Sequence, residues 1–197
     1  MHNEFNSKEG SRLLKLARQS ILDAFEKKET EQKSSDDQTE KSGQVKRGTF
    51  VTLHKKGQLR GCIGNIEACK SVQEGIIDNA RSAAFNDSRF SPLTLKEFAE
   101  TQIEISILTE PEVLEYTDGK DLISKLRPGI DGVTIKKRYQ GATFLPQVWK
   151  QLRDPDLFLS HLCMKAGFPA KEWETGSLDV SIYQVQSFDE DPSVSED

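Results

Sequence analysis

The run Leu59-Arg60-Gly61-Cys62-Ile63-Gly64-Asn65 combines the residue types with the widest chemical reach in this chain. Two glycines bracket a cysteine, an arginine precedes it and an asparagine closes the run. Glycine lets a ligand or a second backbone come close and frees the chain to turn. A cysteine in that setting acts as a nucleophile when a guanidinium or a helix N-terminus stabilises its thiolate. The alternative is a small buried hydrophobe in a strand packed tightly under a helix. Cys62 is the candidate catalytic residue, and Arg60, Gly61, Gly64 and Asn65 are candidates for ligand binding.

A second candidate is the loop Asn86-Asp87-Ser88-Arg89-Phe90-Ser91-Pro92. Asp87 and Arg89 offer charge to a polar ligand, and loops carry such sites more often than cores do. The same two residues also suit a turn in which Asp87 caps the chain and Arg89 pairs with it. Metal chemistry finds little support. His161 and Cys163 stand two apart on a predicted helix and point to different faces. Cys62 and Cys69 lack the short spacing of a zinc site. No metal or cofactor is expected, and no P-loop, dinucleotide, zinc-protease or serine-hydrolase motif occurs.

These residues must be held by a hairpin. Thr49–His54 and Leu59–Gly64 flank a Lys55-Lys56-Gly57-Gln58 turn. With Lys56-Gly57 at the tip, a regular register sets Cys62 opposite Val51 and Arg60 opposite Leu53, all on one face. His54 then falls on the other face with Thr52 and Phe50, a poor base for Cys62. A Cys–His pair would need His161 from elsewhere in the fold.

Around the hairpin, Leu13, Leu14, Ala17, Ile21, Ala24 and Phe25 recur at helical spacing after an Asn6/Glu9 capping pair. Ser71 with Glu74, and Thr94 with Glu97, read as capping boxes of two further helices. Residues 119–126 suggest a short helix, and Asp154-Pro155 opens another that Gly167 closes. Ile103, Ile105 and Ile107 alternate as a half-buried strand, 132–139 reads as a strand, and Leu178, Val180 and Ile182 as a final one. Helices mixed with antiparallel-type strands, without a βαβ rhythm, give an α+β class. The tract 29–46 has almost no apolar residue and reads as a flexible insertion, and 187–197 as an acidic tail.

At 197 residues and 22.2 kDa the chain suits one domain, or two small subdomains sharing a core. The formal charge is −5, and the five acids of 187–197 account for it. The body is thus balanced, which argues against a general nucleic-acid coat. Lys136-Lys137-Arg138 beside Tyr139 is a small basic run, read as a protected strand edge before an RNA contact. No apolar run spans a bilayer, the start Met1-His2-Asn3-Glu4 has no secretory pattern, and three scattered cysteines fit reduced thiols; the expected compartment is the cytoplasm.

Leu59-Arg60-Gly61-Cys62-Ile63-Gly64 resembles the signature of the AMMECR domain family. The likeness extends to 48–53, to Asp87-Ser88-Arg89-Phe90 with Pro92, to Gly132-Val133, to 143–148 and to Lys165-Ala166-Gly167. It covers nearly the whole chain outside 29–46 and the tail. The resemblance implies a single α+β domain of two subdomains, a larger and a smaller, around a shared groove, and no settled activity. Microbial relatives are often encoded beside MEMO-like and radical SAM proteins, which implies partners of those kinds and an enzyme system. Carried over by position, the site is Arg60, Gly61, Cys62, Gly64, Asp87 and Arg89. Two function classes follow. One is a binding module for a small ligand or partner, with a groove near the hexapeptide. The other is an enzyme or enzyme component using Cys62 as nucleophile or redox group, with Arg60, Asp87 and Arg89 orienting an anionic substrate. An RNA-binding factor is a weaker third.

Overall fold

The computed structural model describes residues 5–27 and 45–190. In chain order the elements are α1 (Ser7–Lys27), β1 (Thr49–Lys55), β2 (Gln58–Asn65), α2 (Val72–Phe85), α3 (Leu95–Phe98), β3 (Thr101–Leu108), β4 (Glu112–Val113), α4 (Gly119–Lys125), β5 (Gly132–Lys137), β6 (Gln140–Phe144), α5 (Pro155–Lys165), β7 (Asp179–Tyr183) and β8 (Val185–Asp189). Short 3-10 turns occupy Pro146–Lys150 and Glu172–Thr175. The class is α+β, with both sheets built from antiparallel pairs.

The chain divides into two compact units, one of residues 1–108 with 186–197 and one of residues 109–185. The first unit holds a sheet in the order β2-β1-β3-β8. The reciprocal Asn6/Glu9 bonds start α1, and the full Ser71/Glu74 capping box starts α2. Once started, the helices lay Leu13, Ala17, Ile21, Ile76 and Ala80 against Val51, Leu53, Ile103 and Ile105. Each fully buried aliphatic side chain of that layer contributes about 1.5–3 kcal/mol. Gly61 lets α2 sit close, since a Cβ there would lie 2.2 Å from the Ala83 carbonyl oxygen. The second unit holds a sheet in the order β4-β7-β5-β6 over a core of Leu122, Val133, Ile135, Trp149, Phe158, Leu159 and Leu162.

Three expectations change. The strand read over 132–139 ends at Lys137, because Arg138 turns with φ +57° into β6, which sequence reading did not separate. Residues 187–190, read as the start of an acidic tail, instead close the first sheet. Phe188 packs on the core, and the Glu190 carboxylate holds Arg18 and the Ile103 N–H. Of the insertion read over 29–46, only Val45 and Lys46 lie within the described residues, pairing back to Val72 and Ser71; the rest, like 191–197, lies outside them.

Candidate functional site

The hairpin register departs from the regular one. Leu53 pairs with Gly61 but His54 pairs with Leu59, so Arg60 is an extra residue on β2. A bulge of this kind re-aims a side chain and breaks alternation. Arg60 and Gly61 are accordingly both buried in succession. Beyond the bulge Cys62 pairs with Thr52 rather than Val51, so it leaves the face of Val51 and Leu53. The Thr52 hydroxyl donates to Cys62 Sγ at 3.3 Å. By alternation along β1, His54 shares this outer face with Thr52, and the expectation that it lies opposite Cys62 is corrected. His54 Nε2 lies 3.1 Å from Glu104 Oε2 on β3. Asp189 adjoins the same pair, its carboxyl pushed up by burial and by the charge of Glu104. His161 lies on α5, exposed.

The bulge sends Arg60 towards α3 and the loop before it. Its Nε and Nη2 donate to the two carboxylate oxygens of Glu97 at 3.3 and 3.2 Å, and Nη2 also donates to the Ser91 carbonyl at 2.9 Å. This bidentate fork, then the Thr94 N–H, pull the Glu97 carboxyl down to about 2. Lys55 approaches Glu97 and Glu100 at 3.6 and 3.7 Å. The ring of Phe90 lies 5.8 Å from the Arg60 guanidinium carbon and 5.5 Å from that of Arg89. Arg60 is only 9% exposed, and its Nη1 is shut away from solvent without a hydrogen-bond partner. Among the described residues no other buried side-chain nitrogen or oxygen lacks one.

Asp87 is built the opposite way. Its Oδ1 accepts from the Arg89 N–H and Nε, and its Oδ2 from Arg89 Nη2 and the Cys62 N–H at 2.8 Å. Arg89 Nη2 also donates to the Cys62 carbonyl at 3.2 Å. Hydrogen bonding from Arg89, ahead of the Cys62 N–H, holds the Asp87 carboxyl far below the usual carboxylate range, against burial. The two side chains thus occupy the outer backbone edge of β2 at Cys62, where a neighbouring strand would otherwise pair.

The remaining sequence candidates shape the strand. A Cβ on Gly64 would collide with the Phe50 ring. Asn65 accepts from the buried Asn79, which also bonds to Thr49. Sequence reading brought together Arg60, Cys62, Asp87 and Arg89, and the structure places Cys62 beside Asp87 and Arg89, with Arg60 joined through Phe90. It missed Glu97 as the partner of Arg60. The signal was present only as the third residue of the Thr94 capping box, which uses the same carboxylate. In the other unit, the basic run at 136–138 is partly spent, since Lys137 pairs with Glu172. Among the described residues there is no group of three or more His, Cys, Asp or Glu able to hold a metal, and no helix long and apolar enough to cross a membrane.

The pattern of one known family, AMMECR1, matches residues 14–188, from α1 to β8. The chain belongs to the AMMECR1 family. A protein of Methanothermobacter thermautotrophicus is 41% identical over 147 residues, covering 74% of this chain and 77% of the relative. A Methanopyrus kandleri protein is 35% identical over 200 residues, covering 97% and 93%. The crystal structure of an uncharacterized protein from Pyrococcus horikoshii superimposes with a TM-score of 0.80 at 30% identity, covering 95% of this chain and 94% of that one. The AMMECR1 fold therefore extends through both units of this chain, and the names of these relatives assign no reaction or ligand.

Proposed function

We propose that this AMMECR1-family chain is a ligand- or partner-binding module whose site lies around the hexapeptide 59–64 and the loop 86–92. The observation that carries this reading is Arg60, whose guanidinium is fixed on two sides by Glu97 and Ser91 and keeps one buried nitrogen unused. An unsatisfied buried donor costs about 1–3 kcal/mol, so Nη1 calls for an acceptor. Arg60 and Arg89 face the ligand, with Phe90 between them. Gly61, Gly64 and Asn65 set the strand, and Asp87 holds the loop on it. Asp87 touches Cys62 but spends both oxygens on structure, which removes it as a base.

Native mass spectrometry of the protein after exposure to a cell extract tests this. A non-covalent mass retained by the wild type and by Cys62→Ser, and lost from a folded Arg60→Lys variant, supports the reading. An adduct bonded to Cys62 and absent from Cys62→Ser overturns it.

The second reading, an enzyme or enzyme component using Cys62, gains from the bulge, which sets Cys62 beside the Thr52 hydroxyl and on the face of His54 and Glu104. Partners of the MEMO-like or radical SAM kind, and a location in the cytoplasm, belong to this account of the system. Its test is the pH dependence of Cys62 alkylation in the wild type and in His54→Gln. A rate that rises well below the ordinary thiol range of ~8.5, and loses that rise in His54→Gln, supports catalysis; equal profiles oppose it.

A further inference from the structure

The charges around Arg60 are already matched, and that decides what chemistry its unused nitrogen accepts. Arg60 and Lys55 face Glu97 and Glu100 in one ion-paired group, and Arg89 faces Asp87 in the other. Neither group has positive charge to spare. An anion brought to Nη1 would lose its hydration in a closed site and meet a neutral cluster, which does not offset several kcal/mol of desolvation. A neutral acceptor carries far less of that cost and still completes the hydrogen bond.

We infer that the site takes a neutral carbonyl oxygen, the acceptor of an amide or peptide group, rather than a carboxylate or phosphate. This rests on the reading of Arg60 as a ligand donor. The position of the oxygen follows from the planar guanidinium. Glu97 occupies the side formed by Nε and Nη2, and Ser91 O sits on Nη2, so the incoming oxygen stands next to the Ser91 carbonyl, on Nη1. The half-buried Phe90 ring gives the guanidinium a cation–π contact but no acceptor. Leu59, next to Arg60, and Leu95, at the start of α3, both expose apolar side chains. Such neighbours suit an amide carried on an apolar group.

The test is guanidinium NMR of the full chain, following the Arg60 signals. The probes are N-acetyl-leucinamide, its carboxylate counterpart N-acetyl-leucine, and inorganic phosphate. The inference predicts a saturable shift with the amide, at an affinity about tenfold above the carboxylate, and no shift with phosphate. Arg60→Lys, which keeps the charge and loses the fork, abolishes the amide-induced shifts of the backbone N–H signals of residues 59–64 that the wild type shows. Glu97→Gln, which frees one positive charge, reverses the order in favour of N-acetyl-leucine. Tighter binding of the carboxylate or of phosphate by the wild type overturns the neutral class while leaving Arg60 a ligand donor. Slow exchange of the Nη1 protons with no saturable shift from any probe means that an internal water holds them, and overturns both readings.

Discussion

Two arginine–carboxylate pairs flank Phe90, and they are assembled with opposite polarity. In Asp87–Arg89 the carboxylate is buried, with a side chain 4% exposed, while the guanidinium is 54% exposed. In Arg60–Glu97 the guanidinium is the buried partner and the carboxylate the more exposed one. A buried carboxylate needs only donors for its acceptor oxygens, and four N–H groups complete Asp87. A buried guanidinium has five donors to place, and Arg60 leaves Nη1 over. The second unit repeats the first kind. Asp131 is wholly buried and takes the N–H, Nε and Nη2 of Arg127. All three places hold a close ion pair, and among the described residues only Arg60 leaves a buried side-chain donor over.

The largest effect expected from this contrast is at Asp87. Asp87→Ala strands Arg89 and the Cys62 N–H, and the first unit should lose about 3 kcal/mol in urea unfolding. Asp131→Ala should cost a similar amount in the second unit. Only the Asp87 change should also speed alkylation of Cys62, because only Asp87 and Arg89 close the β2 edge there. Equal alkylation rates in the two variants would break the assignment of the clamp to that edge.

A smaller effect belongs to pH. Asp87 and Glu97 both have folded carboxyls below their unfolded values of ~3.9 and ~4.3, so each stabilises the fold above those values and loses the contribution as pH falls. Both contributions begin to fall at about pH 4; that of Glu97 is spent by about 2, and that of Asp87 goes on falling at lower pH. Unfolding midpoints followed through that range should fall in the wild type. In Glu97→Gln the fall between about 4 and about 2 should be shallower, with only the Asp87 part left. An unchanged profile would mean that Arg60 does not hold Glu97 in solution.

The smallest effect is on thiol reactivity. Cys69 is exposed, Cys62 half-buried, and Cys163 buried with its thiol pushed up by that burial. Iodoacetamide should label them in that order, as read by mass spectrometry. Labelling of Cys62 ahead of Cys69 would move the comparison from Arg60 to the outer face with Thr52, His54 and Glu104.

Much of the scaffold was legible because its signals are local. Ser71 with Glu74 and Thr94 with Glu97 announce helix starts within four residues, and the Ile103–Ile107 alternation announces a strand. The bulge was not legible. One extra residue leaves the composition of the hairpin unchanged, yet it breaks the alternation, moves Cys62 from Val51 to Thr52 and turns Arg60 towards α3. Glu97 was visible as a cap and invisible as a partner, since Arg60 lies 37 residues away. β8 was hidden by the acids at and just after its end, whose carboxylates suggest solvent until Arg18 and the Ile103 N–H are seen to take Glu190.

The central claim is that Arg60 is kept for a ligand and Asp87 for the fold. The most direct test compares the unfolding free energies of Arg60→Met and Asp87→Ala with the wild type, without added ligand. Methionine fills a similar volume, brings no unpaired donor and leaves Glu97 free to meet water. The account predicts a loss for Arg60→Met no larger than the pH-dependent contribution of Glu97, and smaller than the ~3 kcal/mol for Asp87→Ala. A loss at Arg60 equal to that at Asp87 would contradict it, because Arg60 would then be part of what holds the fold together.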